Sequence, residues 1–364
     1  MSNTDFTIFS STQLREFTTE VFVHFDVPYD DAILAADVLA YSDEHGIDSH
    51  GIARLKTYFD LLRTGKINPK PEIKIIREKS STATIDGDNG LGLVVGPKCM
   101  DIAIQKAKLH GSGWVSVCNT NHYGAAGYYP VMALKDDIIG LSMTNTTKGV
   151  APFNGAEKML GTNPLAIAFP AYKEPPIIID LASSAVAYGK VEIADRKNEK
   201  IPEGWCIDKN GYSTTMPSEM INGGALLPLG SDKDGSGHKG YCLASMVDIL
   251  SAVLSGANWG PFTVPFAINS ALPEKQVGKG IGHFFGAWEI DGFRDKNEFK
   301  TNIDEWIHTM RNTLPRPGTS GVLIPGDPER EAYQLRMRDG IPLHKEVVNS
   351  LMDIASYTGI NIPS

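Results

Sequence analysis

Leu14, Phe17, Val21 and Phe25 fall at three- and four-residue steps, and Ile33, Ala36 and Ala40 repeat the pattern after Pro28. This spacing lines one side of a helix with apolar groups, so the chain is predicted to open with helices. A third helix follows His50, with Ile52, Leu55, Tyr58, Phe59 and Leu62 on its apolar face and Gly65, Pro69 and Pro71 ending it. Beyond about residue 75 the texture changes to short β-rich runs between helices and glycine turns: Thr82–Ile85, Gly113–Val117, Ile138–Met143, Ala166–Phe169, Ile177–Ile179 and Ile281–Ile290. Helices are predicted over Pro97–His110 and Lys239–Leu254. After about residue 298 the pattern is helical again, interrupted by Pro315–Gly318 and Pro325–Asp327. The expected organisation is a helical segment over 1–75 packing with 298–364, and a mixed-sheet α/β domain over 76–297 that binds cofactor and substrate.

Composition adds exclusions. The chain has 364 residues, 42% hydrophobic and 21% charged, enough for a substantial core. Its 43 acidic residues exceed 34 basic ones, a net charge of -9 that repels phosphate backbones and anionic lipid surfaces. Nucleic acid and membrane are therefore not expected partners. Cys99, Cys118, Cys206 and Cys242 lack metal-site or disulfide-framework spacing, and no metal is expected. The first residues carry no apolar stretch of signal-peptide length, which makes the cytoplasm the expected location.

A dinucleotide site is usually sought at a glycine-rich turn between strand and helix. Gly90–Gly96 occupies such a place, but its spacing is one residue too long for GxGxxG and no acidic residue closes a following strand. The stretch reads instead as a helix start packed close to the sheet. Asp48-Ser49-His50-Gly51-Ile52-Ala53-Arg54 carries more chemistry. A helix beginning near Ser49 would put His50 and Arg54 on one face. A guanidinium fork grips a carboxylate, and an imidazole beside it exchanges a proton with the neighbouring oxygen, as a 2-oxo acid requires. The same residues also suit an N-cap serine with a surface histidine and a solvated arginine.

His122, just past the strand through Val117, is a second acid/base candidate or a histidine bonded to backbone. Ile177–Ile179 ends at Asp180, followed by Leu181-Ala182-Ser183-Ser184, where a carboxylate and small residues suit a cofactor's ribose and close backbone approach. Lys239-Gly240 near the start of an apolar helix suits phosphate, or an ordinary loop-to-helix junction.

These pieces, in order, resemble the malate/L-lactate dehydrogenase family that lacks a Rossmann fold. The resemblance rests on DSHGIARL at 48–55, NHYGAAGYY at 121–129, APFNGAEKMLGTNPLAIAFP at 151–170, DLASSAVAYGKVEIA at 180–194, IPEGWCIDKNG at 201–211, GHKGYCLASMVDILSAVLSGA at 237–257, GHFFGAWEI at 282–290 and PGD at 325–327. It implies a sulfolactate dehydrogenase-like α/β fold with a mixed sheet, a homodimer, and NAD as cofactor with NADP as the alternative. It implies His50 as proton donor, Ser49 and Arg54 at the substrate, and His122 as an acid/base in some members. Cofactor contacts would fall at Thr146, Asp180, Leu181, Ala182, Ser183, Ser184, Glu203, Lys239, Gly240, Pro325, Gly326 and Asp327. The expected reaction is hydride transfer between the nicotinamide and a small 2-hydroxy acid, malate first and lactate-like acids next. The alternatives are a reductase of a cyclic imino acid or diketo sugar acid, a ureidoglycolate or sulfolactate dehydrogenase, and an inactive relative that only binds cofactor.

Overall fold

The computed structural model describes residues 5–268 and 270–362. Its centre is a seven-stranded mixed sheet in the order Lys74–Glu78, Thr82–Gly90, Ser112–Thr120, Ile281–Glu289, Ile138–Thr144, Leu165–Phe169 and Ile177–Leu181. Only Thr82–Gly90 and Ser112–Thr120 pair in parallel, joined by the helix Gly92–His110; every other pairing in this sheet is antiparallel. Parallel neighbours need such a crossover.

Ile281–Glu289 is inserted between strands far earlier in the chain and is buried along its first seven residues. Both faces of the sheet are covered there, which is why its sequence lacks strict alternation. On one face Met100, Ala103 and Ile104 of Gly92–His110 meet Val115, Val117 and Phe285. On the other, Val247 of the helix Gly237–Asp248 meets Leu141, Met143 and Phe284. That helix continues through a π-helical turn at Ile249–Val253.

The glycine-rich run joins the end of a strand at Gly90 directly to a helix that contains Gly92 and Gly96. The helix begins at Gly92, five residues before the expected start at Pro97. A Cβ on Gly92 would lie 2.2 Å from the Asn121 carbonyl oxygen, so the absent side chain lets the helix press against the segment that carries His122.

The two ends of the chain meet. Phe6–Phe9 pairs antiparallel with Ile341–His344, and Leu14, Phe17, Phe22 and Leu55 share a core with Leu343, Val348 and Leu351. The helix Lys296–Arg311 packs elsewhere: its Ile307 lies against Ile177 on the edge strand of the large sheet. Two short strands in the first and last parts of the chain were not read as strands in the sequence, since four-residue runs carry little periodic signal.

Candidate functional site

The Ser49-His50-Gly51 segment is a turn, and the expected helix starts later. The His50 N–H donates to the Ile47 carbonyl (2.9 Å), a 3-10 turn covers Ile52–Arg54, and the α-helix spans Leu55–Arg63. The reason lies beneath the turn. Asp43, buried at the end of the helix Tyr29–Glu44, accepts the Ile52 N–H at 2.7 Å. A Cβ on Gly51 would fall 1.9 Å from its Oδ1. Burial raises the Asp43 carboxyl to about 7, against the opposing pull of that backbone bond. Arg336, on the helix Asp327–Asp339, ties the same place from outside by donating to the Asp43 carbonyl (2.5 Å) and to the Asp48 carboxylate (2.5 Å).

This turn brings His50 and Arg54 together by a route other than helical spacing. The Arg54 Nε donates to the Ser49 carbonyl at 2.6 Å, and the Ser49 hydroxyl meets the His50 Nδ1 at 2.8 Å. The terminal Nη groups of Arg54 carry no partner among the described residues.

His122 follows the strand Ser112–Thr120. Its ring stacks on Phe266 (centroids 4.2 Å apart) and faces His50 (5.7 Å). The Tyr58 hydroxyl lies 2.7 Å from the His122 Nδ1, and the Gly124 N–H donates to the same nitrogen at 3.3 Å. Because a backbone N–H can only donate, Nδ1 is an acceptor and the neutral ring carries its proton on Nε2. Burial depresses both histidines: His50 to about 4, with Arg54 adding to the effect, and His122 well below its ordinary value, with His50, Arg54 and His283 adding. Both rings are therefore neutral at pH 7 in the free protein.

Ser49, His50, Arg54 and His122 open on one cavity of about 1020 Å³. Its lining also includes Thr146, Asp180, Leu181, Ala182, Pro325 and Gly326. Asp180 has surface toward the cavity but is otherwise enclosed by protein. Burial raises it to about 6, the Gly127 N–H it accepts at 2.7 Å opposes this, and Glu329 adds to the rise. Thr146 contributes mainly structure: its hydroxyl accepts the Thr162 N–H at 3.0 Å.

The remaining residues expected at the cofactor do not line the cavity. Ser183 and Ser184 are buried, their hydroxyls donating to the carbonyls of Thr162 and Val186. Asp327 is held by the Ile324 N–H and by Arg311 and Arg330, which keep its carboxyl below the usual range despite burial. Glu203 is exposed on a loop. Lys239 is exposed, and Gly240 is pressed against Leu229, where a Cβ would lie 2.2 Å from the carbonyl oxygen.

The cavity also takes residues that the sequence pattern did not single out: Tyr41, Lys158, Tyr188, Glu192, Phe266 and Glu329. Their spacing gives no common signal, because they come from separate loops and helices. Tyr58, which touches His122, was read only as part of an apolar helix face.

The walls fit a nicotinamide dinucleotide. The volume is that of a ligand-sized cleft, and Gly124, Ala125, Ala126, Ala182 and Gly189 leave room for close approach to backbone. A Cβ on Gly189 would meet nothing within 4 Å, and the helix Tyr188–Arg196 begins at the cavity. Asp180 and Glu329 put carboxylate oxygens on the cavity, the kind of acceptor that a ribose hydroxyl needs. Among the described residues no group of three His, Cys, Asp or Glu side chains is placed to hold a metal ion, and no helix is long and apolar enough to cross a membrane.

Fold and cavity define a dehydrogenase of small hydroxy acids that uses a nicotinamide cofactor. The chain belongs to the malate/L-lactate dehydrogenase family, whose pattern matches residues 9–352. It is 43% identical to a malate dehydrogenase of Pyrococcus abyssi over 349 residues, 96% of this chain and 94% of that one. It is 42% identical to an L-sulfolactate dehydrogenase of Methanocaldococcus jannaschii, covering 96% of both. The crystal structure of a malate dehydrogenase from Entamoeba histolytica superposes with a TM-score of 0.91 at 35% identity, covering 99% of this chain and all of that one.

Proposed function

We propose that the chain interconverts malate and oxaloacetate, with Arg54 anchoring the C1 carboxylate and His50 exchanging the proton of the C2 oxygen. The observation that carries this is the meeting of Arg54, its Nη donors unpartnered, with two neutral imidazoles in one cavity. The bound nicotinamide ring supplies the hydride acceptor or donor. Arg54 holds the carboxylate by two parallel bonds and so fixes C2 beside His50. In the oxidative direction the neutral His50 accepts the hydroxyl proton through Nε2, while its Nδ1 is steadied by Ser49. His122, its proton on Nε2, donates a hydrogen bond to the same oxygen without leaving the neutral state. In the reductive direction His50 must be protonated, and a substrate carboxylate on Arg54 removes part of the repulsion that depresses it.

Further features support the finer assignments. Asp180 and Glu329 favour the ribose of NAD over a 2′-phosphate, since carboxylates repel phosphate. The four cysteines are free, consistent with a reducing cytoplasm. Met246, Ile249 and Val253 expose apolar surface along one helical stretch, consistent with a homodimer. Glu203, Lys239 and Asp327 lie outside the lining of this cavity.

Initial rates across 2-oxo acids and Δ1-cyclic imino acids, each with NADH and NADPH, test the reading. Oxaloacetate with NADH should give the highest kcat/KM. Turnover confined to the imino acids would sink it.

A further inference from the structure

Lys148 lies two residues beyond Thr146. In the fold it lines the same cavity as Lys158, ten residues further on. The two segments are locked side by side: Val150 bridges Leu160, the Gly149 N–H donates to the Leu160 carbonyl at 2.8 Å, and the Met159 N–H donates to the Val150 carbonyl at 3.0 Å. Neither ammonium has a hydrogen bond or a carboxylate within ion-pair distance among the described residues. Lys98, Lys106 and Lys300, by contrast, each find a carboxylate. Burial lowers the pKa of Lys158, and the charge of Lys148 lowers it further. Two cations that repel each other beside a cavity cost free energy in the empty protein, and an anion between them would offset that cost. The helix Tyr188–Arg196 adds the positive end of its dipole, with Tyr188 and Gly189 on the same cavity.

We propose that Lys148 and Lys158 form an anion subsite of the cavity, distinct from the Arg54 carboxylate anchor, that takes a second acid group. The group has two sources: the distal carboxylate or sulfonate of a dianionic 2-oxo acid, or a phosphate of the dinucleotide. The proposal rests on the dehydrogenase reading and adds to it the recognition of a second charge. Arg54 serves every 2-oxo acid alike, whereas a second cationic site separates dianionic from monoanionic acids.

The experiment compares the full-length wild type with Lys148→Met, Lys158→Met and the double variant. Dissociation constants for NADH and NADPH are read from nicotinamide fluorescence without substrate, and KM is measured for oxaloacetate and for pyruvate at saturating cofactor. If the substrate supplies the anion, the double variant raises the oxaloacetate KM roughly tenfold or more and leaves the pyruvate KM and cofactor affinities unchanged. If the cofactor supplies it, the dissociation constant of NADH or NADPH rises by a similar factor. Unchanged constants in all arms overturn the subsite. The variants should melt no lower than wild type, since each removes a repulsion; Lys148→Gln, at the exposed position, keeps the test readable if Lys158→Met folds poorly. A wild type inactive on every 2-oxo acid would sink the dehydrogenase reading and leave the cofactor-binding arm intact, so the two failures are distinguishable.

Discussion

The two walls of the cavity are built on opposite principles. On the Ser49–Arg54 side most polar atoms are engaged before any ligand arrives: Asp43 holds Ile52, Ser49 holds both His50 and Arg54, Tyr58 and Gly124 hold His122, and Arg336 clamps the outside. On the side that includes Lys148, Lys158, Asp180 and Glu329, charges stand without opposite partners and small residues leave backbone bare. The first wall must present a few atoms in a fixed arrangement for proton exchange. The second must accommodate ligands that bring their own charge and bulk. A pre-formed network is expected to fail abruptly when one member is removed, and an unpaired charge to change affinity in proportion.

The sharpest way to break the comparison is His50→Ala, which should lower kcat by ~10² or more, with a smaller loss for His122→Ala because its neutral ring only donates. Near-wild-type turnover in the first variant would move the proton role to His122. The direction of the pH dependence belongs to the same prediction. With the free His50 depressed to about 4, kcat/KM for oxidation should hold from neutral pH downward and fall only as the ring protonates near that value. For reduction, which needs the imidazolium, kcat/KM should decline as pH rises above it. A plain acid limb near pH 6.5 for oxidation would contradict the buried, Arg54-facing ring.

Arg54→Lys keeps the charge and loses the fork. KM for the 2-oxo acid should rise roughly tenfold or more, with a smaller change in kcat. A lower kcat with KM unchanged would mean that the guanidinium acts only at the transition state. Gly51→Ala forces a methyl group into Asp43 and should cost about 1–3 kcal/mol, read as a lower denaturant midpoint. An unchanged midpoint would show that the turn has slack which the contact geometry denies. The smallest effect is expected from Tyr58→Phe: loss of one hydrogen bond to His122, about 1 kcal/mol, should appear as a few-fold change in rate with little change in stability.

Local pattern made much of this protein legible. Helical spacing located Ser11–His24 and Tyr29–Glu44, the apolar runs located five sheet strands and the inserted strand Ile281–Glu289, and glycine spacing excluded a dinucleotide turn at Gly90–Gly96. These are properties of nearest neighbours along the chain, where periodicity and turn chemistry act. The blocks resembling a known family also brought Ser49, His50, Arg54 and His122 forward as one group, although the helix drawn beneath the first three was the wrong local geometry.

The fold decided what depends on contacts between distant segments. Lys148 and Lys158 gain meaning only because Val150 pairs with Leu160 beside the cavity, and Tyr58 becomes a partner of His122 only when segments 64 residues apart meet. Ser183 and Asp327 have the right chemistry for a ligand, but the Thr162 carbonyl and Arg311 occupy them. The sequence by itself determined which residue types were available and which local elements would carry them. Tertiary structure decided which of their polar groups are already satisfied, because a donor or acceptor bound by protein has little left to offer a substrate.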